Sequence, residues 1–126
     1  MLENKQHVFD DFIAAAERLI EAGFTSPDHL GISGGSNGGL LVASAMTQRP
    51  ELFRAVLCTY PDLDMVRFYQ FTETNNMPAL LEYGDASIPH QFEAIRRYSP
   101  YQAVQDGMKY PAVMLTTGDL DTRVSP

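Results

Sequence analysis

Tryptophan is absent, cysteine occurs once, and no extended run of lysine and arginine is found. A single cysteine, Cys58, excludes an internal disulfide framework and a cysteine-based structural zinc site. It stands in the apolar segment Ala55-Val56-Leu57-Cys58, where a small buried residue is expected rather than a reactive thiol. Basic side chains are few, 9 Lys+Arg against 16 Asp+Glu, and the formal net charge of -7 disfavours nucleic acid and anionic membrane surfaces as partners. No segment approaches the roughly 18 consecutive apolar residues of a membrane-spanning helix. The opening Met1-Leu2-Glu3-Asn4-Lys5 lacks the basic flank and apolar run of a signal peptide. The expectation is a cytoplasmic protein with no membrane partner. What is present is globular composition, 44% hydrophobic and 20% charged over 126 residues, which suits one domain of modest core.

Hydrophobic spacing orders the elements. Phe9, Ile13, Ala16 and Ile20 recur at helical intervals, with Phe12 and Leu19 widening the stripe and Gly23 as a stop, so a helix is predicted over about 5–22. The turn Thr25-Ser26-Pro27-Asp28 leads to a short strand at about 29–33. Asn37 to Gln48 reads as a helix that Pro50 bars from extending. Its small residues Ala43, Ser44 and Ala45 suit close approach to a sheet. Arg54 to Tyr60 is a continuous apolar-rich run, predicted to be a strand buried on both faces. A short helix is expected over Met65 to Phe71, a loop over Asn75-Asn76-Met77-Pro78, and a helix over Gln91 to Tyr98. Ser99-Pro100 breaks that helix, a brief turn covers Tyr101 to Val104, and a third strand runs from Ala112 to Thr117. Strand, helix, strand, helices, strand describes an α/β fold with central parallel strands and crossover helices. Three such strands leave two open edges, so residues 1–126 read as the middle of a domain.

One stretch carries chemistry. Leu30-Gly31-Ile32-Ser33-Gly34-Gly35-Ser36-Asn37-Gly38-Gly39 contains G-x-S-x-G between a strand-like and a helix-like segment. That is the pattern of a nucleophile elbow, where a sharp turn exposes a serine hydroxyl. The tight turn accounts for Gly34 and Gly38. The backbone amide of Asn37, at the helix start, is the expected oxyanion donor. A bland alternative is a glycine-rich connection whose serine hydroxyl merely caps the next helix. A phosphate loop is disfavoured, because no Gly-Lys-Ser/Thr ending follows. The second constellation, Gly118-Asp119-Leu120-Asp121-Thr122-Arg123-Val124, begins where the third strand stops, and such hydrolases run serine, acid, histidine along the chain. Asp119 and Asp121 both satisfy the acid position, and a solvated turn capped by two aspartates is the alternative.

With these motifs placed, the chain resembles the catalytic domain of the prolyl oligopeptidase family of serine peptidases over nearly its whole length. The matching landmarks are Phe9-Asp10-Asp11-Phe12, Phe24-Thr25-Ser26-Pro27, Gly34-Gly35-Ser36-Asn37-Gly38-Gly39 and Gln48-Arg49-Pro50-Glu51-Leu52-Phe53. Asp64-Met65, Glu82-Tyr83-Gly84, Tyr98-Ser99-Pro100 and Asp119-x-Asp121-x-Arg123-Val124 continue the match in order. The resemblance implies a partial α/β-hydrolase fold in which Ser36 is the nucleophile and Asp121 the triad acid, leaving Asp119 to shape the loop. It implies that Asn37 supplies the oxyanion donor and lines the first specificity pocket. Arg123 would anchor a substrate carbonyl, and Tyr83 and Val124 would line the pocket for the residue before the cleaved bond. The implied substrate is an oligopeptide, and no metal or organic cofactor is implied.

Two departures accompany the resemblance. Proline-cleaving members carry a tryptophan shortly before the Tyr-Gly matched by Tyr83-Gly84, whereas this chain reads Asn75-Asn76-Met77-Pro78-Ala79-Leu80 there. Acylaminoacyl-peptidase-like, dipeptidyl-peptidase-like and esterase-like preferences therefore stay open. The family's histidine follows the acid, yet His7, His29 and His90 all precede Asp121. Upstream strands and the C-terminal histidine segment are thus expected to be absent from residues 1–126. The expected function is a catalytic-domain fragment of a serine peptidase, inactive alone and self-associating through open sheet edges. A carboxylesterase-like hydrolase and a non-catalytic binding module are the alternatives.

Overall fold

Helix α1 (Gln6–Glu21) forms where the apolar stripe was read, with Phe9, Ile13 and Ala16 buried along one face. Its end is set by Gly23, whose φ of 75° lets the chain reverse. The Gly23 amide donates to the Ile20 carbonyl and the Phe24 amide to the Leu19 carbonyl, both at 3.0 Å. These two bonds satisfy carbonyls that the helix leaves without partners. The computed structural model describes residues 4–71, 77–121, 123, 124 and 126.

Strands β1 (Gly31–Gly35), β2 (Ala55–Thr59) and β3 (Ala112–Thr116) form one three-stranded sheet in that order. Both pairings are parallel, aligning Gly31 with Ala55 and Ala55 with Ala112. Helix α2 (Asn37–Gln48) leaves β1 after a single residue and lies across β1 and β2. Val42, Ala43 and Ala45 of α2 meet Val56 and Cys58 of β2, joined by Ile13 and Ala16 from α1. Ser44 is fully buried on another side of α2, where its hydroxyl donates to the Tyr98 carbonyl at 2.8 Å. A 3-10 turn over Pro50–Leu52 follows α2.

The remaining helices are α3 (Phe68–Phe71), α4 (Met77–Tyr83), α5 (Pro89–Tyr98) and α6 (Pro100–Ala103). They enclose a second cluster of Phe9, Leu40, Met65, Tyr83, Ile95 and Tyr98. Ser99, also fully buried, accepts the Met65 amide at 2.9 Å, so the joint between α5 and α6 has its polar groups satisfied.

Several expectations are corrected. β1 ends at Gly35, two residues beyond the expected strand, because pairing with β2 carries the ladder into the glycines. Met77 and Pro78 open α4 instead of extending a loop, and a proline is compatible with a helix's first turn; Asn75 and Asn76 lie outside the described residues. The short helix expected over Met65 to Phe71 is confined to Phe68–Phe71. β2 is buried on one face only: Val56 and Cys58 are covered, while Ala55 and Leu57 are exposed. β3 is exposed on both faces: Met114, in register with Leu57, is 62% exposed on the open face, and Leu115, in register with Cys58, is 57% exposed on the other.

Candidate active site

The three strands end together, and the residues after them line one cavity of about 390 Å³. Ser36 follows β1, Tyr60 follows β2, and Asp121, Arg123 and Val124 belong to the loop after β3. The carboxyl ends of parallel strands are where open α/β sheets hold ligands, since the connecting loops diverge there.

Ser36 is forced into an unusual backbone conformation, φ 55° and ψ -125°. Its amide donates to the Thr59 carbonyl at 3.0 Å, and its carbonyl accepts the Leu40 amide at 3.1 Å. The first bond ties the turn to β2 and the second starts α2. Its hydroxyl makes no capping bond to α2, so helix capping does not account for a serine here. Such a conformation costs of order 1–3 kcal/mol and persists only where surrounding structure holds it. The glycines make room for the turn, though not in the expected pair. A Cβ on Gly34 would lie 2.1 Å from the Gly38 carbonyl oxygen, and one on Gly39 would lie 2.6 Å from the Pro61 Cβ. Gly38 itself has open space at its Cβ position; its carbonyl is what crowds Gly34.

Asp121 organises the opposite wall. Its Oδ1 accepts the Arg123 amide at 2.8 Å and the Val124 amide at 3.0 Å. Those two bonds, that from Val124 first, hold its carboxyl below the ordinary carboxylate range. Asp119 is exposed, and among the described residues Asp121 rather than Asp119 ties this loop together. Arg123 is exposed at the cavity and Val124 is buried beneath it.

Asn37 and Tyr83 are held away from that lining. Asn37 is the first residue of α2, and its side-chain amide donates to Glu82 Oε1 at 2.9 Å. The backbone N–H groups of a helix's first turn have no intrahelical partner and are open to an anion. Tyr83, at the end of α4, is 7% exposed and packs edge-on against Phe68 with centroids 5.2 Å apart. Burial, with smaller contributions from Glu82 and Asp62, pushes its hydroxyl's pKa upward.

Two residues at the site were not singled out from the sequence. Tyr60, with φ 38°, is half-exposed in the cavity, and its amide donates to the Thr116 carbonyl at 2.6 Å. Asp62 has its pKa raised, chiefly by burial and then by the neighbouring Asp121 charge. Their signal was position, directly after an apolar strand. The histidines are elsewhere: His7 lies on α1, His90 in the first turn of α5, and His29 in the turn before β1, its Nδ1 2.9 Å from the Ser26 hydroxyl. All three are exposed and none lines the cavity.

A parallel sheet with a strained serine between strand and helix, facing a loop carboxylate after a later strand, defines part of an α/β-hydrolase fold. Residues 1–126 match the family model described as the prolyl oligopeptidase family, and the chain belongs to that family. It is 49% identical over 122 residues to an uncharacterized peptidase of Rickettsia prowazekii (strain Madrid E), covering 97% of this chain and 17% of the relative. A prolyl endopeptidase of Dictyostelium discoideum is 44% identical over 125 residues, covering 98% of this chain and 16% of the relative. Among solved structures, a post-proline cleaving enzyme from Rickettsia typhi superimposes with a TM-score of 0.92 at 48% identity, covering 98% of this chain and 18% of that one. The chain thus spans about one sixth of the length of these relatives, and its lineage is that of the serine oligopeptidases.

Proposed function

We propose that residues 1–126 carry the nucleophile and the acid of a serine peptidase that hydrolyses peptide bonds of short peptides. Ser36 Oγ attacks the carbonyl carbon, its proton passes to a histidine base, and the Asn37 amide stabilises the oxyanion. Collapse of that intermediate expels the amine, which takes the proton from the histidine. Water, activated by the same histidine, then releases the acyl group from Ser36. Asp121 orients that histidine, which is supplied by chain outside residues 1–126. Arg123 and Val124 contact the substrate, and Tyr83 stands behind the pocket as a buried support.

The observation that carries this reading is the strained, uncapped Ser36 lining one cavity with Asp121. Relatives named as prolyl endopeptidases support a peptide substrate, while the absence of tryptophan leaves the preferred residue before the cleaved bond open. Labelling by a fluorophosphonate tests it in the full gene product containing this segment. Ser36 is expected to be modified and the Ser36→Ala variant to remain unlabelled; equal labelling of both would overturn it. Faster turnover of simple esters than of peptide amides, across a panel of both, would favour a carboxylesterase instead.

The open face of the sheet supports self-association of the 126-residue polypeptide in isolation. Gly31, Ser33, Ala55, Leu57, Ala112 and Met114 line a shallow apolar depression of about 500 Å³ there. No helix among the described residues is long and apolar enough to cross a membrane.

A further inference from the structure

Lys5 is one of three buried polar residues among those described, and the only charged one, with 5% of its surface exposed. Its Nζ lies 2.5 Å from Glu82 Oε1, 3.5 Å from Asn37 Oδ1, and 5.1 Å from the centroid of the Tyr83 ring. Glu82 Oε1 also accepts the Asn37 side-chain amide at 2.9 Å. Three groups separated by 32 and 77 positions in sequence thus close a triangle directly behind the residue that follows Ser36.

We propose that Lys5 and Glu82 are positioning residues for the serine site, a buried charge pair that fixes the Asn37 side chain and the Tyr83 ring. The proposal rests on the serine-peptidase reading above. Stability alone is a poor reason for such a pair, because an apolar pair of similar volume often serves as well or better. What charge adds here is direction. With the ammonium at Oδ1 and the carboxylate at Nδ2, the Asn37 amide has one favourable orientation; rotated by half a turn it would face like polarity on both sides. An apolar substitute would leave that amide free to turn. Lys5 also lies over the Tyr83 ring within cation–π distance. The ring beside Glu82 is thereby held by the same cation that holds the carboxylate. Elements far apart in sequence, the residue before α1, the start of α2 and the end of α4, are locked together at the mouth of the elbow.

The Lys5 ammonium and the Asn37 amide hold the Glu82 carboxyl below its usual range against the opposing effect of burial. The groups facing it are Lys5 from the approach to α1, Asn37 from α2, Tyr83 on its own helix and Tyr98 from α5; Asp62 acts on Tyr83 in turn. Removing Lys5 leaves a half-buried carboxylate without its cation, so its titration moves upward.

The test compares wild type, Lys5→Met, Lys5→Arg and Glu82→Gln in the full gene product. Readouts are Ser36 labelling by a fluorophosphonate, kcat and KM on a blocked peptide amide, and the NMR signals of the Asn37 side-chain amide against pH. Lys5→Met and Glu82→Gln are expected to lower kcat/KM by about tenfold to a hundredfold, since misplacing a site by about 1 Å costs that much. The loss falls mainly on KM, and Lys5→Arg restores most of it. In Lys5→Met the Asn37 amide signals follow a Glu82 titration displaced to higher pH. Folded variants with wild-type KM, labelling rate and Asn37 signals would overturn the proposal, even with a lowered melting temperature. A wild type that resists labelling would count against the serine reading instead. The Asn37 signals then still decide: unchanged in Lys5→Met, they overturn the pairing; displaced, they uphold it.

Discussion

A serine held at φ 55° occupies a conformation that glycine adopts freely, and its hydroxyl does not cap the following helix. The position therefore carries strain that its side chain does not offset locally. Ser36→Gly is expected to raise stability by about 1 kcal/mol, a typical release of this kind of strain, while abolishing fluorophosphonate labelling. Chemical denaturation and labelling on the same preparation check the pair of outcomes; a destabilised Ser36→Gly would show that the turn is not strained. Ser44 presents the opposite case. Its buried hydroxyl satisfies the Tyr98 carbonyl, so Ser44→Ala is expected to cost about 1–2 kcal/mol in denaturant unfolding although it removes one atom. The motif around Ser36 was legible from spacing alone. The triangle of Lys5, Asn37 and Glu82 was not, because nothing in local sequence brings together residues 77 positions apart.

At the scale of elements, the turn between β1 and α2 depends on backbone meeting backbone. Gly34→Ala would drive a methyl into the Gly38 carbonyl, and rigid main chain cannot yield as a flexible side chain would. The expected cost is about 3 kcal/mol or more, at the upper end for overpacking; Gly38→Ala, facing open space, is expected to be much milder. The loop after β3 depends on charge. Asp121 has its folded pKa depressed, so its contribution is present above the ordinary carboxylate value and is lost as pH falls through the folded one. Asp62 has the reverse sign: raised in the fold, it opposes folding increasingly as pH rises from the ordinary value to the folded one. Carboxyl carbon shifts followed by NMR are expected to show Asp121 titrating below Asp62; the reverse order would remove this account of the loop. Helix α2 was readable end to end, and α1 to within a residue. Helix α4 was obscured because Pro78 reads as a breaker until its place in a first turn is known.

For the whole molecule, the sheet divides inside from outside unevenly. One face is closed by α2 over β1 and β2, leaving Leu115 of β3 exposed at its edge, and the other carries Leu57 and Met114 into solvent. Exposed apolar strands with open edges favour association. The isolated 126-residue polypeptide is expected to sediment as oligomers, and Leu57→Lys with Met114→Lys to shift it toward monomer; a wild-type monomer at micromolar concentration would contradict this. The same polypeptide is expected to show little peptidase turnover, since no histidine lines its cavity. Ordinary turnover by the isolated chain would contradict that expectation.

Composition, periodicity and the G-x-S-x-G motif by themselves determined the α/β class and the helix that leaves the elbow, because these are properties of neighbours along the chain, while the family followed from resemblance across ordered landmarks from Phe9 to Val124. Only tertiary structure decided which face of the sheet is bare, which aspartate ties the loop after β3, and that a lysine before the first helix stands behind the serine. An apolar strand reads alike whether one side or both are covered, and contacts across the fold follow from how strands register and helices pack.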